Sequence, residues 1–256
     1  MTRQYCLTHT VRYDECNCDN FLTPAAFVRY MQNIASRDAE DAGLVTDGYW
    51  IVKRTIMSFA RPIPMHSALE IKTFGLNFTR ITAQRGYEAR LAGSPHSEPL
   101  ISAHSLWVYV DHNGRPARLP EGTAQIWQPD DGATPPSLPA FPGLPDQSPI
   151  TTSTHVHFSE IDLMQHLNNA SSIEILDNAG WESLAKNEIV PGQARFTPLH
   201  YDVEYVDSPR FGEHLEIQSW FEPFPSPGQE FTRLQQITRA GKTMLRTRSH
   251  WFWENH

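Results

Sequence analysis

Several stretches of the chain alternate apolar and polar residues with a period of two, which is typical of half-buried strands. The first half contains "ALEIKTFGLNFT" and "ITAQRGYEARLA", and the second half contains "HLEIQSWFE" and "TMLRTRSHWFW". In each half these runs follow one helix-like segment. The pattern therefore predicts an α+β fold in which an antiparallel sheet wraps around a long helix, once in each half. Because exposed sheet edges favour unwanted pairing, we expect the two sheets to join into one.

The first helix-like segment carries signals at both of its ends. Thr23 suits an N-cap, and Pro24 suits the first helical position, where a backbone N–H has no acceptor. Gly43 suits the position just beyond the helix, since glycine readily adopts a left-handed backbone. In the second half, Gly180 is expected to end the helix in the same way.

The two halves repeat short motifs in the same order along the chain. The matches, at offsets of 144 to 146 residues, pair Val11–Glu15 with Val156–Glu160, Leu69–Ile71 with Leu215–Ile217, and Ser105–Tyr109 with Ser249–Trp253. Each match is weak by itself. Three matches in order at a nearly constant offset predict a duplicated domain.

A proline-rich segment separates the two halves. The segment Leu119–Ile150 holds eight of the 20 prolines of the chain. Proline lacks a backbone donor, so the segment is expected to be neither helix nor interior strand. We predict an N-terminal domain over residues 1–125, a linker over residues 126–150 and a C-terminal domain over residues 151–256. An elaborate loop within one domain is the alternative.

Composition and charge exclude several classes of protein. With 21 basic and 29 acidic residues the net charge is −8, which argues against a nucleic-acid binder. No apolar run approaches the roughly 18–20 residues of a membrane helix, and no signal peptide is recognisable, so we predict a cytoplasmic protein. Three cysteines, Cys6, Cys16 and Cys18, do not make a disulfide framework. Cys16 and Cys18 lack a second pair to complete a metal site, so neither metal nor cofactor is predicted.

The stretch "SEIDLMQHLNNASS" places polar residues just ahead of the second helix-like segment. Asp162 and His166 offer a carboxylate and an imidazole four residues apart, and Met164 stands between them. Asn168 or Asn169 is expected to cap the helix. The stretch is therefore either a catalytic loop or a polar turn.

This loop resembles that of the hotdog superfamily and, within it, the acyl-ACP thioesterases with two fused hotdog domains. Members typically show Asp-x-Asn-x-His-x-Asn-Asn, and this chain has Asp162, Met164, His166, Asn168 and Asn169 in those places. The segments "YWIVKRTIMSFARPIPMHSALEIKTFG" and "SLWVYVDHNGRPARLP" resemble the framework of the family. The resemblance covers nearly the whole chain and implies two fused hotdog domains.

Two positions depart from the family pattern. Met164 replaces a catalytic asparagine, and Ser208 stands where many members have a glutamate, three residues after Tyr205. The neighbouring Asp207 is expected to point to the opposite side. A standard catalytic set is therefore incomplete in this chain.

The resemblance implies roles for the loop residues in thioester hydrolysis, which needs an activated water or nucleophile and a stabilised oxyanion. Asp162 is the expected base or nucleophile. His166 is expected to orient Asp162, donate to the carbonyl or move a proton. Met164, Asn168 and Asn169 are expected to line the substrate site, with backbone N–H groups of the following helix facing the carbonyl oxygen.

The first half is not expected to hold a second active site. By the repeat offset, Asn17 corresponds to Asp162, Asp19 to Met164 and Phe21 to His166. The acid and the imidazole are thus both missing from the first copy. We expect one active site per chain, with the helix and sheet of the first half forming the acyl pocket.

The expected substrate is an acyl-ACP or an acyl-CoA, and the resemblance implies a role in fatty acid biosynthesis. A non-catalytic acyl-thioester or acyl-carrier binding protein is the main alternative, because Met164 and Ser208 remove two polar groups. A hydratase or dehydratase would place the histidine five residues after the acid. A basic patch of Arg233, Arg239, Lys242, Arg246 and Arg248 is a candidate contact for acidic ACP, with an ordinary solvated sheet face as the alternative. We expect a monomer containing an internal pseudo-dimer, with further homodimerisation left open.

Overall fold

A single antiparallel sheet organises the computed structural model, which describes residues 3–44, 46–94, 96–127 and 135–255. The first half of this described chain contributes the strands β1 (Gln4–Thr10), β2 (Tyr49–Phe59), β3 (Ala68–Phe78), β4 (Thr82–Leu91) and β5 (Ile101–Val110). The second half contributes β6 (Ile150–His155), β7 (Phe196–Tyr205), β8 (His214–Glu222), β9 (Glu230–Arg239) and β10 (Lys242–Trp253). The helices are α1 (Pro24–Asp41), α2 (Thr123–Trp127) and α3 (Asn169–Ala185).

The order of the strands shows an internal repeat. It runs β1-β3-β4-β5-β2-β7-β10-β9-β8-β6, so each half follows the same path outward from the centre. At the centre β2 pairs antiparallel with β7, where Ile56 lies opposite Asp202. The predicted α+β class and the joining of the two sheets into one are confirmed. The exact domain boundaries stay a prediction.

Both long helices begin at the predicted caps. The Thr23 side chain accepts a hydrogen bond from the Ala26 N–H at 3.2 Å, and the Asn168 side chain accepts one from the Ala170 N–H at 2.9 Å. Gly43 follows α1 with a φ of +66°, as expected for the residue beyond a helix end.

The expected end of α3 at Gly180 is wrong. The helix continues through this residue to Ala185. A Cβ atom on Gly180 would lie 2.3 Å from Nη1 of Arg233, which crosses the helix at this point. Glycine is thus needed here for the close approach of a side chain and not for a turn.

The two long helices pack on one face of the sheet, here called the inner face. Buried side chains of both halves form one continuous core, in which Phe27, Ile34, Ile173 and Leu176 are at most 1% exposed. On the helix surfaces Arg29 bonds Glu174 through both guanidinium nitrogens at 2.8 Å. These two residues are 145 apart, so the ion pair joins equivalent positions of the repeat.

The proline-rich linker crosses the opposite, outer face of the sheet. Its residues 128–134 lie outside the described residues. Beyond them, the carbonyl of Pro139 accepts from Arg54 at 2.5 Å, and that of Gln147 accepts from Trp220 at 2.7 Å. The linker segment 135–149 thus reaches from the central strand β2 to β8.

The prediction that residues 119–150 contain no helix is wrong at the start of the segment. The helix α2 covers Thr123–Trp127. The residues between Pro120 and Pro129 include no proline, so a short helix is sterically allowed. The helix buries Trp127 against β3, where a Cβ atom on Gly75 would lie 2.1 Å from the Trp127 carbonyl oxygen.

Candidate active site

A cavity of about 1190 Å³ lies between the two halves. One side is formed by α1 and by the inner face of β2 to β5, with Trp50, Val52, Phe78 and Trp107 in the wall. The other side is formed by residues 158–169 of the second half, here called the polar loop. The expectation that the helix and sheet of the first half form a pocket next to this loop is confirmed.

The polar loop is held by the side chain of Asp162. Its Oδ1 accepts from the backbone N–H of Met164 at 2.8 Å and from that of His166 at 3.4 Å. The backbone N–H of Asp162 donates to the His166 carbonyl at 2.9 Å. Gln165 has a φ of +60°, which closes the turn. The acid therefore has a structural role in the loop, whatever its chemistry.

The first half contains the same turn. The Oδ1 of Asn17 accepts from the backbone N–H groups of Asp19 at 3.1 Å and Phe21 at 3.0 Å. Asn20, with a φ of +64°, takes the place of Gln165. Since an amide holds this turn as well as a carboxylate does, the turn does not explain the negative charge of Asp162.

All five predicted site residues line the cavity. Asp162, His166 and Asn168 are half-buried, and Met164 is 36% exposed. Asn169 is the first residue of α3, and its carbonyl accepts from the Tyr205 phenol at 3.4 Å. The structure thus brings the predicted set together at one end of the cavity.

The start of α3 offers backbone donors beside these side chains. The first N–H groups of a helix have no acceptor within the helix and carry a partial positive charge. The Asn168 side chain accepts from only one of them, that of Ala170. In the first half the equivalent first position of α1 is Pro24, which has no N–H to offer. Burial also raises the pKa of Tyr205, whose phenol therefore stays a donor beside this helix start.

Ser208 lines the cavity, and its neighbour Asp207 does not. Asp207 bonds the Lys242 ammonium at 2.7 Å and lies 3.7 Å from Arg239. These contacts lower the pKa of the Asp207 carboxyl, with the bond to Lys242 as the largest cause. The prediction that Asp207 points away from the site is confirmed, so it does not replace the missing glutamate.

A buried ionic cluster in the wall of the cavity was not predicted from the sequence. Asp38 of α1 is fully buried and accepts from Arg3 at 2.8 Å, from the Trp127 indole at 2.6 Å and from Arg85. The guanidinium of Arg85 also stands 5.2 Å from the Trp127 ring centre. The sequence did contain one indication of this cluster. Arg85 lies two residues from both Ala83 and Tyr87 on its strand, so its side chain is expected on the same, inward face.

The candidate basic patch on the last two strands is mostly neutralised by acidic side chains. Arg233 is buried and bonds Asp177, and acidic partners neutralise three of the other four residues. These pairs are Arg239 with Glu213, Lys242 with Asp207 and Arg246 with Glu204. Lys242 and Arg248 are exposed, and of the five only Arg248 has no ion-pair partner among the described residues. The acids come from different elements: Glu204 from the paired strand β7, Asp207 and Glu213 from the connection between β7 and β8, and Asp177 from α3.

The described residues lack two features, a membrane-spanning helix and a metal-binding cluster. No helix there is both long enough and apolar enough to span a bilayer. In the same ranges no three histidine, cysteine, aspartate or glutamate side chains are arranged to hold a metal ion.

Three solved structures share this architecture over almost the whole chain. A Lactobacillus plantarum protein assigned as an oleoyl thioesterase has a TM-score of 0.83 at 19% identity, covering 100% of this chain and 98% of its own. The 12:0-ACP thioesterase of Umbellularia californica has a TM-score of 0.81 at 17% identity, covering 98% and 94%. An acyl-ACP thioesterase of Bacteroides thetaiotaomicron has a TM-score of 0.77 at 16% identity, covering 97% of each chain.

The sequence comparisons agree with the structural ones over the first half. No curated protein sequence matches the chain. The family model of the acyl-ACP thioesterase N-terminal domain matches residues 2–126. Residues 2–126 therefore match the N-terminal domain of the acyl-ACP thioesterases, and the full length of the chain has the fold of the solved acyl-ACP thioesterases.

Proposed function

We propose that this protein is a thioester hydrolase that releases an acid from an acyl-ACP, or from an acyl-CoA. It is built from two fused hotdog domains, and it has one active site, at the polar loop. The observation that carries the proposal is the charge of Asp162. Asn17 makes the same turn with a neutral amide, so the carboxylate at the edge of the cavity serves something other than the fold.

The geometry supports a water-mediated reaction. The thioester carbonyl oxygen accepts from the first N–H groups of α3, which stabilise the oxyanion as it develops. Asp162 keeps one carboxylate oxygen on the backbone of its own loop and uses the other to take a proton from the attacking water. The C–S bond then breaks, the acyl group leaves as the acid, and the thiolate takes up a proton. His166, at the same end of the cavity, passes to the thiolate the proton that Asp162 took from the water, so both side chains return to their starting states.

The cavity supports an acyl substrate in particular. Its wall combines aromatic and aliphatic side chains of β2, β3 and β5 with the small residues Ala35 and Ala39 of α1. Such a surface suits a flexible hydrocarbon chain, because burial of apolar area is favourable and non-directional. The match of residues 2–126 to the N-terminal domain of acyl-ACP thioesterases supports the acyl carrier protein as the proposed carrier. A cytoplasmic location stays a prediction.

The deciding experiment follows thiol release from acyl-ACP and acyl-CoA thioesters with wild-type protein and the variant Asp162→Asn. We expect turnover to fall by about 10²–10⁴-fold, because the general base is lost. The melting temperature should hardly change, because Asn17 shows that asparagine supports this turn.

The matched control places the same chemical change at the equivalent position of the other half. Asn17→Asp should leave turnover unchanged, because Phe21 and Pro24 replace the imidazole and the backbone donor there. Wild-type protein that hydrolyses no acyl thioester would overturn the proposal. Full activity in Asp162→Asn would remove Asp162 from the mechanism.

A non-catalytic acyl-thioester binding protein is the second candidate. Met164 and Ser208, which both line the cavity, favour it because they replace polar family residues with an apolar and a short side chain. This candidate predicts acyl-thioester binding without turnover. Measurable wild-type turnover above the buffer rate would reject it.

A further inference from the structure

We propose that the preferred acyl group carries a neutral oxygen, a hydroxyl or a ketone, in its distal part, and that Arg85 recognises it. This inference rests on the proposed function and specifies its substrate. The guanidinium lies in the cavity wall, where a plain hydrocarbon chain would leave its donors without partners.

Only part of the Arg85 guanidinium is used by the protein. Nη1 donates to Asp38 and, at 3.2 Å, to the Thr73 hydroxyl. The other N–H groups of Arg85 have no acceptor among the described residues. The side chain keeps 14% of its surface exposed, whereas its partner Asp38 keeps none. Since α1 and α2 cover the inner face here, this exposed surface faces the cavity.

The charges around Arg85 favour a neutral group over a carboxylate. Asp38 already neutralises one guanidinium, and Asp41 bonds the second one, Arg3, at 2.5 Å. The two arginines and two aspartates therefore balance, and Glu40 in the cavity lining pairs with Arg37 at 3.9 Å. A carboxylate would find no unpaired positive charge here and would lose its hydration. A hydroxyl or ketone needs only a donor, which Arg85 provides.

The position of Arg85 in the sheet places the recognised oxygen far from the thioester. Asn169, at the start of α3, is bonded to Tyr205 of β7, and the strand order from there is β7-β2-β5-β4. Arg85 of β4 is thus three strands away, about 14 Å at the usual strand spacing. Gln32 and Ser36 of α1 line the same cavity and add further polar groups.

The second half contains an arginine at the equivalent place that cannot act in this way. Arg233 lies opposite Ser249 just as Arg85 lies opposite Ser105. It also bonds a helix aspartate, Asp177, and it stands 4.8 Å from the Trp251 ring centre. Only 5% of its side chain is exposed. The inference therefore depends on the open cavity beside Arg85 and not on the arginine–aspartate motif.

The test compares kcat/KM for medium-chain thioesters of eight to sixteen carbons. Each length is supplied as the plain acyl chain, with a hydroxyl next to the thioester, with a hydroxyl near the methyl end, and with a terminal carboxylate. We expect the distal hydroxyl to be preferred over the plain chain by ~10-fold, as one charge-assisted hydrogen bond allows. The proximal hydroxyl and the carboxylate should show no such preference.

The variant Arg85→Met should abolish the preference while plain chains are still hydrolysed. Arg233→Met is the matched control, because it removes the equivalent ionic partner without reaching the cavity, and it should keep the preference. If Arg85→Met does not fold, the wild-type panel decides. Equal kcat/KM for plain and distally oxygenated chains at every length would overturn the inference.

Failure of the proposed function is distinguishable from failure of this inference. If no thioester is hydrolysed, the protein is titrated with plain and distally hydroxylated free acids of the same lengths. A ~10-fold tighter binding of the hydroxylated acid would support the role of Arg85 without catalysis. Equal affinity would overturn it.

Discussion

Residue 164 acts in the polar loop through its backbone N–H and through its side chain, and a substitution can change the second role without the first. Its N–H donates to Asp162 and would do so with any side chain. Its side chain is 36% exposed at the cavity, where the family pattern places an asparagine. Methionine supplies apolar contact there but no strong hydrogen bond. The backbone therefore positions Asp162, while nothing in this side chain positions the water that we propose Asp162 activates.

We predict that Met164→Asn raises turnover by about tenfold. An amide at this place can hold the attacking water, and positioning contributes strongly to catalysis. The melting temperature should stay the same because the turn depends on the backbone N–H. The measurement is kcat for the preferred thioester.

The control for this change is Asp19→Asn at the equivalent place of the first half. Asp19 keeps its backbone bond to Asn17 and loses only an ion pair with Arg195 at 3.4 Å. The variant Asp19→Asn should therefore not alter kcat. A turnover that falls in Met164→Asn would show that this site requires the apolar side chain.

Residues that act within one turn were predictable from the sequence, and residues that meet through tertiary contacts were not. The cap at Asn168 and the turn at Asp162 need only neighbours within a few positions. The cluster around Asp38 joins residues 3, 38, 85 and 127. One of its members, Trp127, lies in a segment that composition alone assigns to the linker.

At the scale of elements, the same distinction explains why one helix end was predicted and the other was not. Gly43 ends α1 because a left-handed backbone is a local need. Gly180 lies inside α3 because the side chain of Arg233 of β9 crosses the helix there. Arg233 is 53 positions later in the sequence, so no local pattern predicts this contact. The meaning of a glycine therefore depends on what packs against it.

The outer face of the sheet carries histidines on adjacent strands. His200 of β7 lies opposite His250 of β10, with 5.9 Å between the ring centres. Burial is the largest cause that lowers the pKa of both imidazoles from 6.5. Arg248 lowers both further, while Asp202 opposes the shift at His200 and Glu230 opposes it at His250.

We predict that the stability of the protein falls as the pH is lowered below about 6.5. The unfolded chain takes up protons near that pH, whereas the folded chain keeps His200 and His250 neutral to lower pH. The contribution of these groups is therefore complete above the unfolded pKa and is lost as the pH falls through the folded pKa. The double variant His200→Gln/His250→Gln should show a flatter dependence of melting temperature on pH.

The control uses another histidine pair on neighbouring strands. His155 of β6 and His214 of β8 are exposed, with 5.0 Å between the ring centres. Their double glutamine variant should keep the pH dependence of the wild type. An unchanged slope in the His200/His250 variant would assign the acid sensitivity to other groups.

At the scale of the whole molecule, the repeat produces two clefts of unequal size at equivalent places. The counterpart of the large cavity, between α3 and β7 of the second half and the polar turn of the first, measures about 400 Å³. Trp181, which corresponds to Ser36, fills this cleft by stacking on Phe196 at 4.7 Å between ring centres. The duplication was visible in the sequence as constant offsets. The size of each cleft depends on how side chains from α3 and β7 pack, and the repeated motifs do not predict that packing.

The two halves are joined across β2 and β7 by a buried ion pair. Arg54 donates to both carboxylate oxygens of Asp202, at 2.7 and 2.6 Å, and both side chains are at most 10% exposed. The linker segment covers the pair, since Pro139 accepts from Arg54 and the Phe141 ring centre lies 5.7 Å from it. These contacts shield the guanidinium of Arg54 from water.

We predict that Asp202→Ala lowers the free energy of unfolding by about 3–5 kcal/mol, because it leaves a buried guanidinium without its anion. Glu174→Ala breaks a second ion pair between the halves, that with Arg29, in which both partners are about 45% exposed, and should cost less than ~1 kcal/mol. Both free energies of unfolding are to be measured by chemical denaturation. The double variant Arg54→Met/Asp202→Leu should recover most of the loss, since an apolar pair removes the unpaired charge. Equal costs for the two alanine variants would mean that water reaches Arg54 beneath the linker segment, and the central strand pair would then not depend on this ion pair.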